Sequence, residues 1–448
     1  MTEAVKGRQK EISIKSKNIA IIGGGPAGSL TAYLLAKEGA NVTIFEPRST
    51  ERGGIDEGKP CTGCAGIIQY GAIALLSSVG LQIPEEVIKA HLKGGTTIHL
   101  QDDVAISMPF TEKHAIAVYR GWKPDEATKS FDAFLLNEAI KAGAKHVQAK
   151  VKNVNLNREN GKVSVFSEEA QVVNGKKSAI AMSKHDIVIG SFGHDKLFDS
   201  IEYPKGAKKV EKPSTIKTAV REIYLGKEKV NSLVQDHIHI FGNPTDNVWF
   251  ALVAPKEDYL TVTIMGRKDI KSGDFAEFYK SKQMMMLMKE DVSSAPIKCS
   301  CSPSITLKSP TYYTVYDEIE DSISIVFIGD AGPTRLKKNG MFAALDSAKH
   351  IAYSLIEFGN TKKALHNYEK YINAAYVRDN TYINAIFYSM DFFLKRKKLL
   401  KFTEYVVNGN FPIASKLVLN IIDHITSGKQ PYWKIPYSVM LELFGGKI

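Results

Sequence analysis

Residues 18–46 read NIAIIGGGPAGSLTAYLLAKEGANVTIFE. Asn18 to Ile22 is a short apolar, β-branched run, the composition of a strand buried on both faces. A glycine-rich turn follows. Ser29 to Lys37 carries apolar residues at helical spacing, Gly39 closes that helix, and Asn41 to Phe45 is a second buried run. The three pieces have the lengths of one βαβ unit. The turn is Gly23-Gly24-Gly25-Pro26-Ala27-Gly28, a G-x-G-x-x-G that leaves a strand and opens a helix, and Glu46 ends the second strand. Each residue then has a physical task. Gly23 permits the tight turn, Gly25 lets backbone approach a pyrophosphate on the helix N-terminus, and Gly28 lets the helix pack close to the strand. Glu46 would accept hydrogen bonds from an adenosine ribose and repel a 2′-phosphate, which disfavours NADP in this site. Pro47 and Arg48 follow it directly.

Outward from that unit the pattern changes. Between 94 and 120 the segments TTIHL, VAISM and AIAVY alternate, as antiparallel strands facing a pocket do. Residues 131–143 form an amphipathic helix ended by Gly143, and 147–172 read as a hairpin around Asn160-Gly161. Asp186 to Ile189 is another buried strand. Four alternating segments from IKTAVREIYL to YLTVTIMG suggest a second sheet, with His237 and His239 sharing one strand face, a candidate pocket face. Residues 274–290 read as helical and 295–310, with three prolines, as a loop crossing back. Ser324 to Ile328 is a buried strand, Gly340 to Phe358 a helix, and the pattern from Lys362 to about Asn408 is helical. The expected fold class is α/β, α+β overall: a Rossmann-type nucleotide domain, an antiparallel-sheet substrate domain and a C-terminal helical region. The expected boundaries are 1–93, 119–205 and 320–361 for the first, 94–118 and 206–319 for the second, and 362–448 for the third.

The 448 residues are 44% hydrophobic and 24% charged, ordinary for a globular chain. No apolar run approaches the ~20 residues of a membrane span, and the first residues do not read as a secretory leader. Four cysteines point to a reducing, cytoplasmic setting rather than a disulfide scaffold. Net charge is +11, and residues 361–448 hold 13 basic against 6 acidic side chains. Such an excess suits an anionic partner or a plain solvated face. Residues 391–407, DFFLKRKKLLKFTEYVV, combine bases with large apolar residues, so peripheral membrane contact is an expectation and nucleic acid is not.

Two further motifs identify the dinucleotide. His185-Asp186-Ile187-Val188-Ile189-Gly190-Ser191-Phe192-Gly193 and Phe327-Ile328-Gly329-Asp330-Ala331-Gly332 are buried strands that end in glycine turns. With G-x-G-x-x-G they form an ordered triplet, DIVIGSFG and GDAG being its second and third members. The triplet resembles the single-Rossmann FAD proteins of the aromatic-hydroxylase superfamily, and within it the geranylgeranyl reductase family. Tyr119-Arg120 before Phe131-Asp132 is similar to the family's "R…FDxxL", whose arginine lies against the cofactor. Lys59-Pro60-Cys61 resembles its "KPCG", and Trp249 to Pro255 its lipid-lining "YxWxFP" strand, although Asn247 stands where that motif has an aromatic and five residues separate Trp249 from Pro255.

The resemblance implies FAD held by Gly23, Gly25, Pro26, Ala27, Gly28, Glu46, Pro47, Arg48, Lys59, Pro60, Arg120, Gly193, Gly329, Asp330, Gly340 and Met341. It implies chemistry at Cys61, Cys64 and Trp249, and a lipid substrate met by Trp249, Pro255, Lys337 and Lys338. The activity implied is reduction of isoprenoid C=C bonds by hydride from reduced flavin, with electrons from NAD(P)H, ferredoxin or a quinol; that no second G-x-G-x-x-G offers a stable nicotinamide site favours ferredoxin or a quinol over NAD(P)H. Alternatives are an FAD monooxygenase of an aromatic or alkene, and an electron-relay flavoprotein working through Cys61-x-x-Cys64. The cysteines, with Cys299-x-Cys301, could also be buried apolar residues or a zinc set, but their spacing suits no common metal site. Met284, Met285, Met286 and Met288 suit either a lipid surface or plain core. Replacing Cys61 by Ser should lower turnover while the FAD content of the purified protein stays near normal. Loss of FAD, or unchanged turnover, would remove Cys61 from the site.

Overall fold

The computed structural model describes residues 14–48, 64–101, 104–108, 115–121, 130–169, 180–336, 339–394, 396–407, 419 and 431–434. The nucleotide-side core is a six-stranded sheet ordered Thr314–Asp317, Ser322–Phe327, Ile187–Gly190, Asn18–Ile22, Asn41–Phe45, Lys145–Val147. Its pairs are parallel apart from the Thr314–Asp317 edge strand. Strands Asn18–Ile22 and Ile187–Gly190 are buried almost throughout, as continuous β-branched runs covered on both faces must be. The Pro26–Lys37 helix has Pro at its first turn, where the missing N–H costs nothing, and packs between the Gly340–Phe358 and Phe131–Lys141 helices.

The second large sheet has seven strands in the order Ile297–Cys301, Ala219–Tyr224, Tyr259–Gly266, Val248–Lys256, His237–Gly242, Gly95–His99, Ala105–Met108. One of its faces packs on three short helices, Lys227–Val234, Ser272–Tyr279 and Lys282–Met288. Met284 and Met288 are buried in that core, so the methionine run is packing rather than a lipid surface, while Met286 is exposed.

Two local expectations are corrected. Residues 295–310 are not a loop: they form strands Ile297–Cys301 and Ser304–Lys308. The prolines mark their ends, because Pro303 lacks the N–H a ladder needs while its carbonyl still accepts from Thr218. His237 and His239 do not face the pocket. Side chains alternate along a strand, and it is Ile238 and Ile240 that line the cavity. His239 lies on the other face, where its Nδ1 is 2.9 Å from Nε2 of His99, and His99 stacks on Phe241.

Burial lowers both imidazoles of that pair from 6.5 to about 4, and lowers His185 to about 4 as well. Neutral, one ring donates and the other accepts; a second proton would set two N–H groups face to face. Between pH 6.5 and 4 the unfolded chain therefore binds protons that the folded chain refuses, and stability falls as pH falls through this window. The loss at pH 5 relative to pH 8 should be on the order of 2 kcal/mol for each such histidine. Urea denaturation at both pH values should show a smaller loss for His99→Asn than for the natural chain. An equal loss would contradict the assignment.

Candidate active site

The glycine turn is built by close approach. Gly23 has φ +103°, and a Cβ on Gly28 would stand 2.0 Å from the Gly23 carbonyl oxygen and 2.4 Å from Ser191 Oγ. Ser191 donates to the carbonyls of Ile22 and Gly23, both at 2.9 Å, and so ties the DIVIGSFG turn to the first strand. Gly329, at φ +59°, brings the third motif against Ala27, where an added Cβ would lie 3.1 Å from the Ala27 Cβ. At Gly25 a Cβ would meet nothing within 4 Å. It would project into open space in front of the helix N-terminus, which is the room a pyrophosphate needs.

That space belongs to a cavity of about 730 Å³. Gly25, Pro26, Ala27, Gly193, Gly329, Asp330, Gly340 and Met341 line it from the nucleotide side, with Arg120 and Cys64 at its edge. The opposite wall is a row of residues running straight across the seven-stranded sheet. Val220 pairs with Thr263, Thr263 with Leu252, and Leu252 with Ile240, and all four line the cavity. Thr263 Oγ1 in this row and Thr334 Oγ1 near the GDAG turn are buried with no hydrogen-bond partner among the described residues. A buried hydroxyl without a partner carries a desolvation cost that a ligand atom would offset. The open glycine cradle fits FAD, and the wall opposite it is apolar apart from Thr263.

Ion pairs set the rim. Arg120 donates from Nε and Nη2 to the two oxygens of Asp132, at 2.7 and 3.0 Å, and the Gly121 N–H adds a third bond at 2.8 Å. Burial alone would raise the Asp132 carboxyl; Arg120 outweighs it and holds the group below the usual carboxylate range. Glu46 is saturated differently from the ribose reading. It accepts from Gly24 N at 2.8 Å and from the backbone N, Nε and Nη2 of Arg48. Burial opposes its ionisation, and Arg48 prevails, so its pKa is lowered. A ribose would have to share these oxygens with Arg48. Pro47 is half-buried between the two.

Cys64 accepts from the Gly66 N–H at 3.4 Å. The next carbonyl, Ala65 O, accepts from the buried Lys256 ammonium at 3.1 Å, and Lys256 also bonds Glu222 at 2.9 Å. This pair pins the cysteine segment to the sheet, and no sequence motif marks it, nor Thr263 or Thr334. Ser191 was legible, inside the second motif; the register that puts Thr263 in the row was not. Trp249 is not among the cavity-lining residues. It packs with Phe250 and Met265 against Leu336, Ile383 and Tyr432. Of the Trp249–Pro255 stretch only Leu252 lines the cavity, and Pro255 borders a separate space of about 570 Å³. Lys59, Pro60, Cys61, Lys337 and Lys338 lie outside the described residues. Among the described residues no three His, Cys, Asp or Glu side chains could hold a metal ion together.

A nucleotide cradle at the strand ends of a Rossmann sheet, open onto one face of an antiparallel sheet, is the arrangement of a single-Rossmann FAD-binding fold. Residues 21–80 match the NAD(P)-binding Rossmann-like domain, a βαβ arrangement common to NAD and FAD sites. The chain is similar to geranylgeranyl diphosphate reductase of Synechocystis sp., 26% identical over 176 residues, which are 39% of this chain and 38% of that protein. It is also similar to digeranylgeranylglycerophospholipid reductase of Methanocaldococcus jannaschii, 23% identical over 360 residues, 79% and 81% of the two chains. Its fold matches a geranylgeranyl bacteriochlorophyll reductase-like protein of Thermoplasma acidophilum with TM-score 0.60 and 17% identity, each chain covered to 96%. A flavin-dependent halogenase matches with TM-score 0.62 and 20% identity, covering 96% of this chain and 77% of the halogenase. These matches make the chain similar to FAD-dependent oxidoreductases, the geranylgeranyl reductases among them. It spans less than two fifths of the Synechocystis relative and about four fifths of the archaeal one.

Purified protein should be yellow and release FAD on denaturation, because FMN has no adenosine for the Gly24–Glu46 end of the cradle. Gly25→Val should abolish flavin retention while melting at the temperature of the natural apoprotein, since the space it fills is open. Recovery of FMN alone, or a Gly25→Val protein that keeps its FAD, would contradict this cradle.

Proposed function

We propose that the protein reduces carbon–carbon double bonds of an isoprenoid chain, using FAD. The observation that carries this reading is the apolar row Val220, Leu252 and Ile240, with Ile238 and Met265 beside it, facing the glycine cradle across one cavity. The names of two relatives support an isoprenoid substrate. Reduced FAD, when bound, supplies a hydride. The protein's part is to hold the chain along the sheet row, exclude water and supply a proton. Cys64, Tyr70 and His194 carry exchangeable protons on the cavity wall, and His194 Nε2 is held 2.9 Å from Thr306 Oγ1. Cys61 and Cys64 are proposed as the site's thiols, and Trp249 as packing behind Met265 at one end of the row.

The division of labour proposed is nucleotide binding by the parallel-sheet segments, substrate binding by the seven-stranded sheet, and closure by the C-terminal helices. Electrons would come from NAD(P)H, ferredoxin or a quinol. No helix among the described residues is long and apolar enough to cross a membrane. Exposed Phe402 and Tyr405 beside Lys398 and Lys401 suit a peripheral contact with an anionic bilayer, where a lipid substrate would be met.

The fold shared with a flavin-dependent halogenase makes oxygen chemistry the second reading. Oxygen separates the two. Chemically reduced enzyme mixed anaerobically with geranylgeranyl diphosphate should reoxidise and add two hydrogens per double bond. Ile240→Trp should slow this at least about ten-fold, with FAD content unchanged, by filling the row. Turnover that needs oxygen and adds an oxygen atom would establish the monooxygenase reading instead.

A further inference from the structure

The cavity wall next to the GDAG turn carries a polar corner that hydride transfer to an apolar chain leaves unused. Thr334 and Arg335 both line the cavity, and both are buried, 1% and 6% exposed. Their backbone is fixed from the C-terminal side. Asn380 accepts from the Leu336 N–H at 3.1 Å and donates to the Thr334 carbonyl at 2.9 Å. Ser309 Oγ donates to the same carbonyl at 3.0 Å. The Arg335 guanidinium lies 4.8 Å from the Tyr432 ring centre, and its Nη2 is 3.3 Å from Asp379 Oδ2. Asp379 is itself oriented, for its other oxygen accepts from the Trp433 N–H at 3.1 Å.

Compare the cavity's other arginine. Arg120 is committed to Asp132 through two short parallel bonds. Arg335 meets Asp379 at a longer distance, 3.3 Å from Nη2 to Oδ2. Beside it stands the Thr334 hydroxyl, buried and with no hydrogen-bond partner among the described residues. A preorganised guanidinium next to a hydroxyl is the donor arrangement that receives a phosphate oxygen, and such charge-assisted bonds are the strong ones.

We propose that Thr334 and Arg335 form an oxyanion subsite of this cavity, with Asp379 as the residue that positions Arg335 and moderates its charge. The ligand class is the terminal phosphate of a long apolar chain. The isoprenoid identity of that chain rests on the function proposed above; the oxyanion subsite does not.

The test uses the full-length, FAD-loaded, oxidised protein, with binding followed by equilibrium dialysis. The probes are geranylgeranyl diphosphate, geranylgeraniol and inorganic pyrophosphate. The natural chain should prefer the diphosphate over the alcohol by about ten-fold at low salt, and raised salt should erode that preference. Arg335→Met should remove the preference and the pyrophosphate binding, with alcohol affinity within about two-fold of natural. Asp379→Asn, which keeps the Trp433 contact but drops the charge, should strengthen diphosphate binding. A merely structural role would weaken all three probes together. Thr334→Val should cost part of the preference. The subsite is overturned if Arg335→Met keeps the diphosphate preference, or if it lowers FAD affinity instead. If the alcohol fails to bind the natural chain, the isoprenoid reading falls, and Arg335-dependent pyrophosphate binding still decides the subsite.

Discussion

The structure depends on the absence of a side chain at Gly28. A Cβ there would overlap the Gly23 carbonyl and the Ser191 hydroxyl, so the helix could not lie where it does. That one contact sets how near the Pro26–Lys37 helix comes to the first strand. Because Ser191 bridges the Ile22 and Gly23 carbonyls, it also sets how near the Ile187–Gly190 strand end comes to the turn. The GDAG turn then closes on Ala27. The open space before the helix N-terminus is what remains between these three turns, and its other wall has to come from elsewhere in the chain.

That wall comes from a sheet whose register places Val220, Thr263, Leu252 and Ile240 side by side. Around its border stand buried ion pairs: Arg120 with Asp132, Lys256 with Glu222, Arg335 with Asp379. Buried pairs are weak contributors to net stability, since desolvation offsets most of the attraction, but breaking one leaves an uncompensated charge. Their evident use here is placement. Each fixes a segment of cavity wall from a distant part of the chain: the Arg120 corner, the Cys64–Ala65 segment and the Thr334–Arg335 corner.

The sequence was informative where structure is local. The βαβ unit, the second and third glycine turns and the Gly340–Phe358 helix are written in contiguous residues, because short-range sterics and periodicity define them. The face of His237 and His239 was not legible, since alternation tells which residues share a face but not which face meets the cavity. Strand Ile297–Cys301 was hidden because its prolines read as loop, although they only bound it. Trp249 illustrates a further limit: a strand motif can be located while its register leaves Leu252, not the tryptophan, on the cavity wall. Glu46 shows the same for electrostatics, as nothing in the order Glu46-Pro47-Arg48 says that the arginine folds back onto the carboxylate.

The central claim is that one cavity holds FAD on its glycine wall and an apolar chain on its sheet wall. The most direct measurement is native mass spectrometry of the protein as purified, with bound molecules identified after release, for the natural chain and for Leu252→Trp. The account predicts one FAD per chain in both, and an unsaturated isoprenoid lipid that is present in the natural chain and missing from the variant. A lipid retained equally by Leu252→Trp, or FAD lost from it along with the lipid, would contradict the shared cavity.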